Sequence, residues 1–429
     1  MAMRVAQTIL NSGERHSVLI DEHGLPDWWS SLWVIEKLRP GGGAANTIST
    51  KLRAVLLLYR ALPRAQDLTL RLARGECLSV REIDYLIEQM NSPAELIKPF
   101  NNQDNDVRPT VKKRSRIVSL ENSRSKLRTQ QQQTVTSRTK ALRLQFIREY
   151  LWWCINTQIL RSHGQTKISL TILRDEIDTY IESKTTNIRD ASGIGEPNGL
   201  TEIQQAELLE VIQPNSPLNP WKDAPFIRSR NQLIVELLLA CGPRRGAILG
   251  IKVPDIDSHT GRISVLRRPD DPENPRTVET GNKCGDYKLP LGDRLFRLLR
   301  EYQVLRHKKV KGRHRYLIVS EDGNPLEQSS VNYILRSLRE IPQLANLHPH
   351  LLRHTWASNH ARKRYAEGTS IDEIERELRT LGGWSERSKM PAYYTRQFAD
   401  ERSYESSLRL QGKATVIRTR KQLSTDDSK

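Results

Sequence analysis

"HPHLLRHTWASNH", residues 348–360, places four histidines and one arginine within thirteen positions. Pro349 suits the first turn of a helix, where its missing N–H leaves nothing unpaired. A helix that starts there carries His350, Arg353 and His354 at i, i+3 and i+4, the spacing that puts side chains on one face. Two chemistries compete for that face. His350 and His354 have the spacing of helical zinc ligands. Arg353 stands beside them as a fixed cation, however, and no carboxylate or thiolate lies at helical spacing to complete a ligand set. A guanidinium with an imidazole suits phosphate oxygens instead, because the planar fork donates two parallel hydrogen bonds to an anion. For His354 and His360 a satisfied structural role fits better than chemistry.

The whole chain agrees with an anionic partner. Its 429 residues carry 68 Lys plus Arg against 50 Asp plus Glu, a net charge of +18, so its long-range field attracts polyanions and nucleic acid is the first partner to consider. Cys77, Cys154, Cys241 and Cys284 lie far apart without a CxxC, which predicts neither a zinc ribbon nor a disulfide framework and fits a reducing cytoplasm. The first twenty residues lack an apolar signal core, and no run approaches the roughly 18 to 20 apolar residues of a membrane span. A soluble, cytoplasmic, nucleoid-associated protein without a membrane partner is expected.

Outward from the histidines, "SIDE" at 370–373 reads as a capping box, followed by Ile371, Ile374, Leu378 and Leu381 on one face and a stop at Gly382 and Gly383. Upstream, "RNQLIVELLLACG" (230–242) puts Ile234, Leu237, Leu238 and Cys241 on one face of a buried helix. "RISVL" (262–266) and "YKLPL" (287–291) read as strands of a small antiparallel sheet flanking a polar excursion, and "YLIVS" (316–320) as another short strand. Residues 184–200, rich in Gly, Asn, Ser and Thr, read as a linker. Before it, residues 24–183 read as helical, with "TISTKLRAVLLLYRAL" (47–62), "SVREIDYLIEQM" (79–90) and a helix from 139 whose stripe includes Leu142, Phe146 and Leu151. A polar insertion at 101–136 interrupts them, and its "VKKRSR" is either a nucleic-acid arm or solvated charge. The expectation is a mainly α protein with a small antiparallel β-sheet: a helical domain at 24–183, a mixed domain at 201–411, and a mobile tail at 412–429.

In that setting "HPHLLRHT" resembles the H-x-L-R-H-T segment of the tyrosine recombinases, the phage-type integrases. Three further segments match in the family's order. "CGPRRGAILGIKVPDID" (241–257) is similar to the first-arginine motif and puts that arginine at Arg244. "GNKCGDYKLPL" (281–291) resembles the hairpin that carries the family's lysine, here Lys283 with Lys288 as the nearest alternative. "LGGWSERSKMPAYYTR" (381–396) resembles the segment leading to the nucleophile and puts Trp384 in its His/Trp place. The resemblance covers about 199–411, and more weakly the N-terminal region as a helical, core-binding-like DNA-clamping domain. It departs from the pattern at Ala247, where an acidic residue usually supports the first arginine. Tyr393 and Tyr394 both offer a nucleophile, and Met390 with the "YTR" ending fits Tyr394.

What the resemblance implies is a site-specific DNA recombinase that cleaves and rejoins double-stranded DNA through a covalent 3′-phosphotyrosyl link. It needs neither ATP nor a cofactor or metal, and it works as a homotetramer on two duplexes. The chemistry stands beside the name. A phenol with a pKa near 10 is a weak nucleophile at neutral pH, and a phosphodiester repels anions, so positive charge must meet the transition state. Arg244 and Arg353 can supply it, His350 and the Trp384 N–H can add hydrogen bonds, and Lys283 can protonate the departing 5′ oxygen. Three other readings remain open: a topoisomerase-like nicking and closing enzyme, a DNA-binding protein that has lost catalysis, and a metal-dependent nuclease. The last needs grouped carboxylates, and "DDPE" (270–273) sits in a proline-rich loop poorly suited to them.

Overall fold

A computed structural model describes residues 3–100, 134–185, 199–280, 285–310, 312, 314–396, 398–400, 403–404 and 406–411. Lys283, most of the polar insertion, most of the expected linker and the tail 412–429 lie outside the described residues. The chain divides into two compact units, Met1–Ser192 and Gly193–Lys429, each mainly helical with a small antiparallel sheet.

The first unit opens on a hairpin that the sequence reading did not assign, β1 (Arg4–Ile9) paired with β2 (Arg15–Ile20). Its inward positions on β2 are Arg15, Ser17 and Leu19, so the apolar alternation that betrays a strand is missing. Arg15 is buried and donates to the Gly13 carbonyl at 2.8 Å. Helices follow: α1 (Trp28–Trp33), capped by Asp27, then α2 (Ala45–Ala61), α3 (Leu68–Ala73), α4 (Val80–Gln89), α5 (Ser137–Arg161) and α6 (Gly164–Lys184). On α2, Ile48, Leu52, Val55 and Tyr59 turn inward. Ser79 and Glu82 close a capping box on α4. The stripe of α5 lies on Leu144, Ile147, Leu151 and Cys154, with Phe146 packed partly buried against the core; of the three residues expected there, Leu142 departs, 42% exposed.

The second unit is built around α8. It begins with α7 (Glu202–Val211), whose Thr201 and Gln204 form a capping box, and continues into α8 (Pro225–Cys241). Leu233, Ile234, Val235, Leu237 and Leu238 are all fully buried, and Arg230, Asn231, Gln232 and Glu236 are buried too, so α8 is buried nearly all round and forms the axis of the core. After α9 (Arg245–Gly250) come β3 (Ile256–Asp257), β4 (Arg262–Val265) and β5 (Tyr287–Pro290), in the antiparallel order β3-β4-β5 with Ile263 opposite Leu289 and Val265 opposite Tyr287. Helices α10 (Asp293–Val310), α11 (Gln328–Ser337), α12 (Pro349–Ala366) and α13 (Ile371–Gly382) complete the order. The expected strand at 316–320 is not one. It makes isolated bridges, Lys252 with Tyr316 and Val319 with Pro325, because its neighbour turns away into a 3-10 turn at Val253–Asp255. The apolar run is buried all the same, as a core segment. Among the described residues no helix is long and apolar enough to cross a membrane.

Candidate active site

Two glycine turns set the site. Helix α8 ends at Gly242 with φ +62°, and α13 ends at Gly382 followed by Gly383 with φ +60°, the left-handed caps that glycine adopts without strain. A Cβ on Gly242 would lie 2.2 Å from the Trp356 ring, and one on Gly382 would lie 2.2 Å from the Trp384 ring. Each bare turn therefore lets an indole close over it. The turns also aim two carbonyls at one side chain: Arg353 donates from Nη1 to Gly242 O at 2.6 Å and from Nη2 to Gly382 O at 2.7 Å. One guanidinium on α12 thus ties together turns more than a hundred residues apart in sequence. It lies over the Trp384 ring, 4.0 Å from the centroid, and Trp384 stacks on Trp356.

Gly242→Ala is expected to destabilise the second unit by about 2 kcal/mol or more, since left-handed strain adds to a steric conflict with an indole. Denaturant unfolding measures it. An unchanged midpoint would mean that Trp356 has room to move.

Arg244 directly follows the first turn and donates to Gly383 O at 3.5 Å, a contact at the limit of hydrogen bonding. Its neighbour Arg245 is held elsewhere, by Asn332 at 2.6 Å and Gln328 at 2.8 Å on α11. Of the two arginines in "PRRG", then, Arg244 is the one that faces the turns. Ala247 is buried in the core, so the position that would offer a carboxylate to Arg244 offers packing instead. A cleft of about 450 Å³ opens here, lined by Arg244, Arg245, Arg336, Arg339, His350 and Arg353 among others. His350 reaches solvent at the cleft, and its protonation is disfavoured by partial desolvation and then by Arg353, His348 and Arg244. The charges acting on it are all positive, as in a site that awaits an anion.

Tyr394 comes from the helical segment 390–396 and is 1% exposed. Its hydroxyl pairs with His354 Nδ1 at 2.9 Å. Its ring lies 5.8 Å from that of Trp384 and 5.5 Å from that of His354. Burial pushes the phenol up to about 12, opposed by the fields of Arg353 and Arg244. His354 is pushed down to about 4, first by burial and then by the charges of His350, His348 and Arg353. Tyr393 turns outward, 38% exposed. His360 bonds Glu377 at 2.8 Å, the structural role expected of it.

Of the residues singled out in the sequence, Arg244, His350, Arg353, Trp384 and Tyr394 come together, and Lys283 lies outside the described residues. Lys288, the alternative, points outward from β5. His354, read as structural, hydrogen-bonds the Tyr394 hydroxyl. The signal was present, since i+4 from His350 shares its face. The glycine carbonyls that hold Arg353 had no signal beyond "CG" and "LGG". Among the described residues no three His, Cys, Asp or Glu side chains converge as a metal site.

The phage integrase family model matches residues 209–401. Over 131 residues, 30% of this chain and 40% of the relative, the chain is 30% identical to the tyrosine recombinase XerC of Staphylococcus epidermidis. It is 32% identical to that of Alcanivorax borkumensis over 170 residues, 39% of this chain and 48% of the relative. The chain therefore spans less than half the length of these curated relatives. Among solved structures, a lambda integrase dimer bound to a core site aligns with 84% of this chain and 94% of its own at 15% identity and TM-score 0.42. XerH recombinase bound to its palindromic difH substrate aligns with 61% of this chain and 71% of its own at 17% identity and TM-score 0.39. The motifs and the family match fall on the same stretch of the second unit, and over residues 209–401 the chain is similar to the phage integrase family, the tyrosine recombinases.

Proposed function

We propose that the chain is a site-specific recombinase that cleaves and rejoins double-stranded DNA through a covalent 3′-phosphotyrosyl intermediate. The observation that carries this reading is a buried tyrosine hydroxyl under the fields of Arg353 and Arg244, beside a cleft lined with arginines. Such a field lowers the cost of bringing a phosphodiester to a phenol and of the charge that builds on the pentacoordinate phosphorus. Arg353 is held by two carbonyls at the wall of the cleft, where its guanidinium would meet a non-bridging oxygen. Arg244, His350 and the Trp384 indole N–H would add donors to the same phosphate. Tyr394 attacks, and Lys283 is the acid for the leaving 5′ oxygen. Energy of the broken bond is kept in the phosphotyrosine, so resealing needs no ATP.

Double-stranded DNA is the partner, with the first unit as its helical clamp, and the resemblance supports a homotetramer acting on two duplexes in the cytoplasm at the nucleoid. No cofactor takes part. The weak anchoring of Arg244 beside Ala247 favours, as a second reading, a DNA-binding protein with impaired catalysis.

A library of nicked duplexes of randomised sequence tests the reading. Complexes that survive SDS and carry DNA linked to tyrosine are expected, in EDTA as well as with Mg²⁺. Binding without any such complex would favour the impaired reading, and a strict metal requirement for cleavage would favour a metal-dependent one. Affinity for any duplex should fall steeply with salt, on the order of 10³-fold between about 50 and 200 mM if some six phosphates are neutralised.

A further inference from the structure

The site as described supplies charge to the phosphate but leaves one question: where the proton of the nucleophile goes. We propose that His354 is the proton acceptor of Tyr394, its Nδ1 taking the phenolic proton as Oη attacks phosphorus and returning it when the strand is resealed. This rests on the recombinase reading and deepens it.

Geometry comes first. Among the described residues the hydrogen-bond partner of the Tyr394 hydroxyl is His354 Nδ1 at 2.9 Å, within the reach a general base needs. In the tautomer with its proton on Nε2, Nδ1 presents a lone pair to the phenol. The ring is held for that task. His350 stands edge-on to it with centroids 4.3 Å apart, and Tyr393 meets it edge-on at 6.2 Å. The two arginines near the hydroxyl cannot take a proton at any working pH. A base is required because burial raises the phenol to about 12, so the phenolate is absent at neutral pH.

The proton balance closes. In cleavage the Oη–P bond forms, the P–O5′ bond breaks, the phenolic proton moves to Nδ1 to give an imidazolium, and the 5′ oxygen receives a proton from the lysine of the recombinase reading. In resealing the 5′ hydroxyl attacks, its proton returns to that lysine, the P–Oη bond breaks, and the imidazolium gives its proton back to Oη.

The same surroundings make the transfer depend on DNA. In the free protein His354 is a poor base, depressed to about 4 by burial and by His350, His348 and Arg353 from its own helix and the turn before it. From the other elements at the site, the field of Arg244 acts on Tyr394, and Tyr393 and Tyr394 face the ring. Carboxylates are absent from the charges that set its protonation. A bound phosphodiester is the anion that offsets those cations and restores basicity to His354. The nucleophile thus stays protonated until a phosphate is in place.

His354→Asn separates proton transfer from packing, because the amide oxygen can accept the same hydrogen bond but cannot take the proton. On pre-bound nicked duplex, single-turnover adduct formation should fall on the order of 10²-fold or more, with DNA affinity and thermal unfolding close to wild type. Difluorotyrosine at position 394 has a more acidic phenol, and in the His354→Asn background it should recover on the order of tenfold, as expected when the base is what is missing. A rate within about threefold of wild type, or no gain from difluorotyrosine, would overturn the proposal. Rescue of His354→Asn by a 5′-bridging sulfur would also overturn it, by placing the lost proton on the leaving group. Nitrogen NMR of the wild-type covalent complex is independent of how the variant folds: His354 should be an imidazolium there and neutral in the free protein. A neutral ring in both would be fatal. If the wild-type chain forms no phosphotyrosine at all, the recombinase reading fails rather than this inference.

Discussion

Tyr394→Phe is expected to leave no covalent DNA adduct while binding DNA within a few-fold of wild type. The substitution removes one oxygen and keeps the ring, which packs with Trp384 and His354 and is all but fully buried. The lost hydroxyl leaves His354 Nδ1 without its partner, at a cost to stability of about 1 kcal/mol. On the proposed reading the chemistry, by contrast, loses its attacking atom. Tyr393→Phe serves as the control. Tyr393 is 38% exposed and has its ring centroid 5.4 Å from that of Tyr394, so its variant should form adduct at close to the normal rate. Adduct persisting in the first variant and lost in the second would move the nucleophile by one residue. Gel separation of SDS-treated complexes reads both.

Arg353→Lys is the second large effect, and here stability and catalysis should fall together. The guanidinium spans Gly242 O and Gly382 O and lies over the Trp384 ring. An ammonium is a point donor that cannot bridge both carbonyls, cover the indole and still reach a phosphate oxygen. Cleavage should drop about 10²- to 10³-fold, the loss expected of a transition-state donor, and unfolding free energy by about 1–3 kcal/mol as a buried carbonyl loses its donor. Single-turnover rates and denaturant melts measure the two separately. A stable variant with near-normal cleavage would mean that Arg353 only braces the turns.

Helices were legible wherever apolar residues recur at helical spacing over several turns, as in α2, α8 and α13. The stop of α13 at Gly382 and Gly383 was legible because a left-handed cap calls for glycine. The β1–β2 hairpin was not, because a buried arginine and a buried serine occupy two of its inward positions and mask the alternation. The run at 316–320 carried strand composition, yet composition does not supply a partner strand, and its neighbour turns off at Val253–Asp255.

The site shows the same division. Arg244, His350, Arg353, Trp384 and Tyr394 were legible as types and spacings. That Arg244 faces the glycine turns while Arg245 is held against α11 depends on Asn332 and Gln328, more than eighty residues away. The hold of two glycine carbonyls on Arg353 is likewise a long-range fact, invisible to any local pattern. His354 was passed over because a histidine on a helix is most often satisfied structurally, and only the fold reveals that its partner is the hydroxyl of Tyr394, the nucleophile of the proposed reading.

The most direct test of the central claim is to trap the wild-type protein on nicked duplexes of randomised sequence in EDTA, digest the SDS-resistant complex, and fragment the peptide that carries nucleotide. The recombinase account places the nucleotide on the oxygen of Tyr394, joined through a 3′ phosphate. Nucleotide on Tyr393 or on a serine, a link through a 5′ phosphate, or cleavage that appears only when a divalent metal is restored would contradict it.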